Sequence, residues 1–365
     1  MAQVRDVAII GAGLLGLATG RALAARGRDV VVLERAEIGH PASGSKGSCR
    51  IFRLGYPDQD YVLAARRARE LWRALENQSG RRILLPTPQL TLGAGQRAVQ
   101  EAMAAGGAPC ELLTAREAAR RFPAVRVDGP ALLEPESGVI AADVVLEALA
   151  DGGAEVRTGV RVLRLADDGR RVTVPTSAGP LTARTVVITA GPWSTALLAP
   201  LGVPLPGRPT LEQVAYLRPA DPAAEPPIFI NHADRAPYGL PVPESKLYKI
   251  GIHPSGPVTD PDRQDQSADP YLTRKLSDVA ARYLPGYDPE PAAIERCIYD
   301  TSPDEDFVVD RVGNVVVGSG TSGHGFKFGP LFGEWLADLA TGAPPADLAP
   351  GLQRRFALSR FWPAG

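Results

Sequence analysis

The stretch that decides the fold is VRDVAIIGAGLLG (Val4 to Gly16), followed by VVVLE at Val30 to Glu34. Val4 to Ile10 is a short apolar run ending on glycine, the pattern of a strand buried on both faces of a parallel sheet. From Leu14 to Arg26, Leu14, Leu17, Ala18, Arg21, Ala22 and Ala25 recur at helical spacing, and Gly27 ends the helix. Val30 to Leu33 is a second buried strand, which completes a βαβ unit of about 30 residues. Gly11, Gly13 and Gly16 form GxGxxG between strand and helix. Gly11 permits the tight turn, Gly13 lets the backbone approach a pyrophosphate, and Gly16 lets helix and strand pack closely. Glu34 follows Gly16 by 18 residues. Its carboxylate can accept hydrogen bonds from a ribose diol, and its charge repels a 2′-phosphate. The unit reads as a dinucleotide site and leaves NAD and FAD both open.

The whole chain fits that beginning. It has 365 residues, 44% apolar and 22% charged, enough for two domains with substantial cores. A formal net charge of −1 gives no reason to expect nucleic acid or a membrane surface as partner. Cys49, Cys110 and Cys297 are widely spaced and odd in number, so a reducing cytoplasm is expected rather than a disulfide framework. His40, His232, His253 and His324 make no zinc pattern, and no metal is expected. Val7 to Gly20 reads as strand and helix, not as a leader, and the last residues, Trp362 to Gly365, are not a peroxisomal address.

Further along, Asp60 to Glu76 reads as a long amphipathic helix and Thr185 to Thr189 as a buried strand. Pro200 to Pro270 is proline-rich with β-prone runs, among them Leu247 to Ile252. Phe307 to Val309 and Val315 to Val317 read as strands leading to a glycine-rich turn, Gly318 to Gly325, with a helix from Pro330 to Ala340. Dinucleotide-type elements thus lie at both ends and near residue 185, with sheet-like sequence between, which implies two interleaved domains. GHPASGSK (Gly39 to Lys46) nearly matches a phosphate-binding loop, but Ser45 stands where that motif needs lysine, so the triphosphate reading is set aside.

Four segments in order resemble the monomeric sarcosine oxidase family, which includes N-methyltryptophan oxidase and pipecolate oxidase. They are GSKGSCRIFRLGY (Gly44 to Tyr56), AGPW (Ala190 to Trp193), CIY (Cys297 to Tyr299) with PDEDFVVD (Pro303 to Asp310), and SGHGFKF (Ser322 to Phe328). The likeness spans nearly the whole chain. It implies a mixed α/β and α+β architecture: a Rossmann-like FAD-binding domain of the GR2, D-amino-acid-oxidase-like type, with an interleaved, mostly antiparallel substrate domain. The FAD-binding domain is expected from residues 1–81, 138–209 and 305–365, and the substrate domain from 82–137 and 210–304. The implied reaction is oxidation of the C–N bond of a secondary amino acid to an imine, with dioxygen reduced to hydrogen peroxide.

Residue types and resemblance then combine. Arg50 and Arg53 are three apart, so on a helical turn they share a face. Arg53 suits a bidentate carboxylate clamp. Lys327, between Phe326 and Phe328, must reach water or meet an anion. The resemblance has Arg53 and Lys327 hold the substrate carboxylate, with Arg50 nearer the flavin. On a strand, Lys249 lies on one face with Leu247 and Gly251, and the resemblance makes it the oxygen-activating lysine. Tyr238 matches an active-site tyrosine, and His253 matches a family histidine. Cys297 matches the cysteine that forms a thioether to the flavin. Ser45, Val162, Gly191, Gly323, Gly325 and Lys327 are expected cofactor contacts. Lys46 is expected near the flavin as well. Amide N–H groups of Gly318 to Gly325 are expected to face an anionic flavin edge. A monomer is expected. The competing readings are a flavin dehydrogenase passing electrons to a quinone or carrier protein, a noncatalytic dinucleotide-binding protein, and an NAD-dependent dehydrogenase.

Overall fold

A computed structural model describes residues 4–220, 226–232 and 236–362. Its first sheet is built on the stretch quoted above. Strand β1 (Val4–Ile10) lies between β2 (Val30–Leu33) and the strand Gly179–Ile188, parallel to both, with Ile10 opposite Leu33 on one side and Ile188 on the other. Glu155–Arg157 extends the sheet beyond β2, and Val315–Ser319 pairs parallel to Gly179–Ile188. Short antiparallel strands complete eight. The Val/Ile runs are buried because helices cover one face and loops and strand ends the other, as parallel sheets require. Helix α1 (Leu14–Ala25) crosses from β1 to β2, and the C-terminal helix Gly329–Ala340 packs against it.

The second sheet also has eight strands and is antiparallel except where Ile228–Asn231 runs parallel to Gln89–Leu92. In Tyr248–Ile252 the period-2 alternation sorts the side chains. Tyr248, Ile250 and Ile252 enter a core with Leu276 and Ala280 of the helix Pro270–Tyr283. Lys249 takes the opposite face, across from Tyr216 and Leu240 on the neighbouring strands.

A small third sheet joins β3 (Cys49–Phe52), Gly138–Ala141 and Leu84–Pro86. This corrects the helical placement of Arg50 and Arg53. Cys49–Phe52 is extended because its backbone pairs with Gly138–Ala141, whose β-branched Val139 and Ile140 favour a ladder over a turn. Three residues apart, Arg50 and Arg53 therefore do not share a face by helical spacing.

Helix α2 (Gln59–Ser79) starts where the Asp58 side chain accepts the Asp60 N–H, and it stops at Gly80 in the left-handed region. Its apolar face buries Tyr61, Ala64, Ala65, Ala68, Trp72 and Leu75. The Trp72 indole N–H donates to the main-chain carbonyl of Lys327 at 2.7 Å, so this helix anchors the turn that carries the lysine.

Candidate active site

One cavity of about 500 Å³ runs from the glycine turn of the first sheet to the lysine-bearing face of the second. At the turn, Gly11 has φ +100°, and a Cβ there would meet the Thr189 carbonyl at 2.6 Å. A Cβ on Gly16 would overlap the Gly11 carbonyl, so helix and strand close only with glycine at that position. Gly13 caps α1 without a side chain, and the Ser45 hydroxyl accepts the Leu14 N–H at 2.9 Å. Glu34 accepts the Ala12 N–H at 2.8 Å and the Ala36 N–H at 3.0 Å, which fixes its carboxylate at the end of β2. Val162 and Gly191 line the same stretch of wall.

Six Lys and Arg residues line the cavity, among them Arg50, Arg53, Lys249 and Lys327. Arg50 donates to the carbonyls of Cys49 at 2.9 Å, Gly44 at 3.2 Å and Lys46, and its guanidinium lies 5.3 Å from the Phe326 ring centre. Lys46 thus contributes a carbonyl, and its side chain is not part of the cavity wall. Arg53 donates to the Gly55 carbonyl and lies 4.1 Å over the Tyr56 ring. Lys327 is buried and donates to the Tyr56 hydroxyl at 3.0 Å and to the His324 carbonyl. Tyr56 therefore contacts both cations, the Arg53 guanidinium over its ring and the Lys327 ammonium at its hydroxyl. Burial, then Arg53, hold the Lys327 ammonium well below the usual lysine range. Its environment favours an anion beside it.

Lys249 is buried and donates to the Cys49 carbonyl at 3.3 Å. Burial lowers its pKa, and Arg50 lowers it further. Tyr238 lies two residues from Leu240 on the neighbouring strand, opposite Gly251, and its ring lies across Gly251, which has no room for a Cβ. His253 packs 5.5 Å from the Tyr299 ring, and burial lowers its pKa, as it does for His324. Cys297 is half-buried on the strand Ala293–Thr301. Burial raises its thiol pKa, while Arg50 and Lys249 pull the other way.

The glycine-rich turn reaches the cavity through Thr321, Gly323, His324 and Gly325. Its amide donors are largely spent inside the protein. The Gly320 N–H goes to the Asp300 carboxylate at 2.7 Å, the Ser322 N–H to the Asp300 carbonyl, and those of His324 and Gly325 to the Thr321 carbonyl. The expected row of N–H groups facing a flavin edge is thus reduced, because a buried turn must first satisfy its own backbone. Three residues absent from the sequence expectations stand out: Tyr56 in contact with both cations, Asp300 under the glycine turn, and Glu134 beneath Gly55. Tyr56 lay inside the quoted motif. Nothing local marks Glu134, which is 79 residues from its partner.

A family model described as FAD dependent oxidoreductase matches residues 6–339. The chain belongs to that family. This FAD dependent oxidoreductase is 35% identical to the peroxisomal sarcosine oxidase of Mus musculus, over 98% of this chain and 96% of the relative. It is 32% identical to the monomeric sarcosine oxidase of Bacillus sp. (strain NS-129), over 92% of each chain. Among solved structures, NikD, an unusual amino acid oxidase essential for nikkomycin biosynthesis, superposes with a TM-score of 0.84 at 29% identity, over 95% of this chain and 98% of NikD. The oxidoreductase offers FAD a fitting cradle. The glycines admit close backbone approach at the start of α1, Glu34 stands fixed beside them, and Cys297 and Lys249 line the same cavity. No described helix is long and apolar enough to cross a membrane.

Proposed function

We propose that the protein oxidises the C–N bond of a secondary amino acid, N-methyl or cyclic, to an imine, and passes the electrons to dioxygen to give hydrogen peroxide. The observation that carries this reading is the meeting of Arg53, Lys327 and Lys249 in one cavity that begins at a dinucleotide turn. Family membership and the sarcosine oxidase relatives support it. The bound FAD supplies the two-electron oxidation and the return of electrons to dioxygen. Gly11, Gly13, Gly16, Glu34, Ser45, Arg50, Val162, Gly191, Gly323 and Gly325 would hold it, and Cys297 would bind it covalently.

Arg53 and Lys327 bind the substrate carboxylate and so orient the C–H to be broken. With these cations close by, and burial lowering the pKa of His253 and His324, the site favours the amine in its unprotonated form. The amine lone pair then drives the oxidation without a dedicated carboxylate base. Lys249 places a positive charge where an anion forms as dioxygen accepts its first electron. Tyr238 and His253 close the substrate side and exclude water. The three free cysteines fit a reducing cytoplasm, and the relative named as monomeric fits a monomer.

The test is a peroxide-release screen over sarcosine, larger N-methyl amino acids and cyclic imino acids, with oxygen uptake recorded in parallel. One peroxide per dioxygen consumed is expected. Bleaching of the yellow colour without oxygen uptake would make the protein a dehydrogenase. No bleaching with any of these substrates would remove the proposal.

A further inference from the structure

Gly55 ties the turn that carries Arg53 and Tyr56 to the second sheet. Its carbonyl accepts from Arg53, and its N–H donates to Glu134 at 2.8 Å. Glu134 ends the strand Ala131–Glu134 of the second sheet and is 1% exposed. Its other oxygen accepts from the Gln89 amide and the Thr91 hydroxyl, each at 2.8 Å, and Ser137 lies 3.4 Å away. A Cβ on Gly55 would meet the Glu134 carboxylate at 2.5–2.8 Å, so glycine and carboxylate are fitted to one another.

All these donors are neutral. A buried carboxylate with only neutral donors keeps much of its desolvation cost unless a cation stands within reach. Lys327 is the neighbouring cation: it donates to the hydroxyl of Tyr56, the residue that follows Gly55, and while burial and then Arg53 lower its pKa, Glu134 raises it. The anion on one domain's sheet and the two cations beside Tyr56 therefore form one electrostatic unit joined by the Gly55 peptide.

We infer that Glu134 is a positioning residue for substrate binding: it fixes the Arg53–Tyr56 turn and supplies the buried counter-charge that keeps Lys327 able to bind a carboxylate. This rests on the clamp reading of Arg53 and Lys327 given above. Among the described residues, the titratable ones that interact with Lys327 are Arg53, Tyr56, His324, His253 and Glu134, and of these Glu134 is the anion.

Glu134→Gln is a mild replacement. Its amide oxygen can still accept the Gly55 N–H. Its NH2 can donate to Gln89 Oε1 once that amide is turned, since this oxygen has no hydrogen-bond partner among the described residues. The probes are methoxyacetate, an uncharged-ether analogue of sarcosine that keeps the carboxylate, and its neutral amide, methoxyacetamide. Each is titrated into holoenzyme and followed by the visible absorbance of the flavin.

Glu134→Gln should weaken methoxyacetate by on the order of 10- to 100-fold and leave methoxyacetamide unchanged. The alkaline limit of methoxyacetate binding should move to lower pH. A purely structural role would weaken both probes alike and leave that limit in place, which would overturn the inference. Wild-type affinity for methoxyacetate in Glu134→Gln, with affinity lost in Arg53→Met, would overturn it while the clamp stands. Wild-type affinity in both Arg53→Met and Lys327→Met would remove the clamp and this inference with it. Should Glu134→Gln not hold flavin, Gly55→Ala tests the same contact with both charges kept. Its methoxyacetate affinity should fall by a similar factor, and an unchanged value would sink the inference.

Discussion

The Lys327 ammonium donates to the Tyr56 hydroxyl at 3.0 Å, on the ring over which the Arg53 guanidinium sits at 4.1 Å. Two cations are thereby gathered on one neutral aromatic side chain. Like charges this close repel, and a carboxylate arriving between them relieves that repulsion.

Removing either cation should therefore cost catalysis. Arg53→Met or Lys327→Met is expected to lower kcat/KM by roughly 10- to 150-fold, from loss of a charge-assisted contact of about 1.5 to 3 kcal/mol. The amide or ester of the true substrate should react as poorly with wild type. Steady-state kinetics on substrate and amide check this, and equal rates for both would exclude the clamp.

The same pair sets a pH dependence. Burial first, and Arg53 second, hold the Lys327 pKa well below 10.5. Between its folded and unfolded values the unfolded chain binds more protons, so this lysine's penalty on stability shrinks as pH rises through that window. Carboxylate binding has the opposite sign, because it needs the protonated amine. Affinity for methoxyacetate should thus fall with rising alkaline pH, and Lys327→Met should flatten that decline. A wild-type affinity independent of alkaline pH would contradict this.

Cys297 tests the cofactor linkage. After acid or heat precipitation the yellow colour should remain with wild-type protein, and Cys297→Ser should release it to the supernatant. Wild-type protein that yields all its flavin free would show the assignment to be wrong.

Lys249 separates the two half-reactions. Lys249→Met should slow reaction of the reduced enzyme with dioxygen by ~10²-fold or more, if about 2.7 kcal/mol of anion stabilisation is lost. Anaerobic reduction by substrate should change far less. Stopped-flow traces of the two steps check it. Fast reoxidation with collapsed reduction would reassign Lys249 to substrate binding.

Much of this was legible in the chain itself. The βαβ unit from Val4 to Leu33, the helix from Asp60, and the alternation that sets Lys249 apart from Tyr248 and Ile250 are local patterns, and local backbone physics fulfils them. Arg50 and Arg53 were misplaced for a related reason. Spacing alone does not distinguish a helical turn from a strand four residues long, and the decision came from Gly138–Ala141, a distant partner for the backbone.

The dinucleotide turn follows from the chain alone, since contacts within one short unit and its adjoining strand demand Gly11 and Gly16. Which charges come together depends instead on folding in three dimensions. Tyr56 in contact with Lys327, Asp300 under the glycine turn, and Glu134 beneath Gly55 join segments 19 to 271 residues apart. Desolvation and charge pairing depend on distance in space, and no pattern along the chain encodes that distance until the two sheets have closed over the cavity.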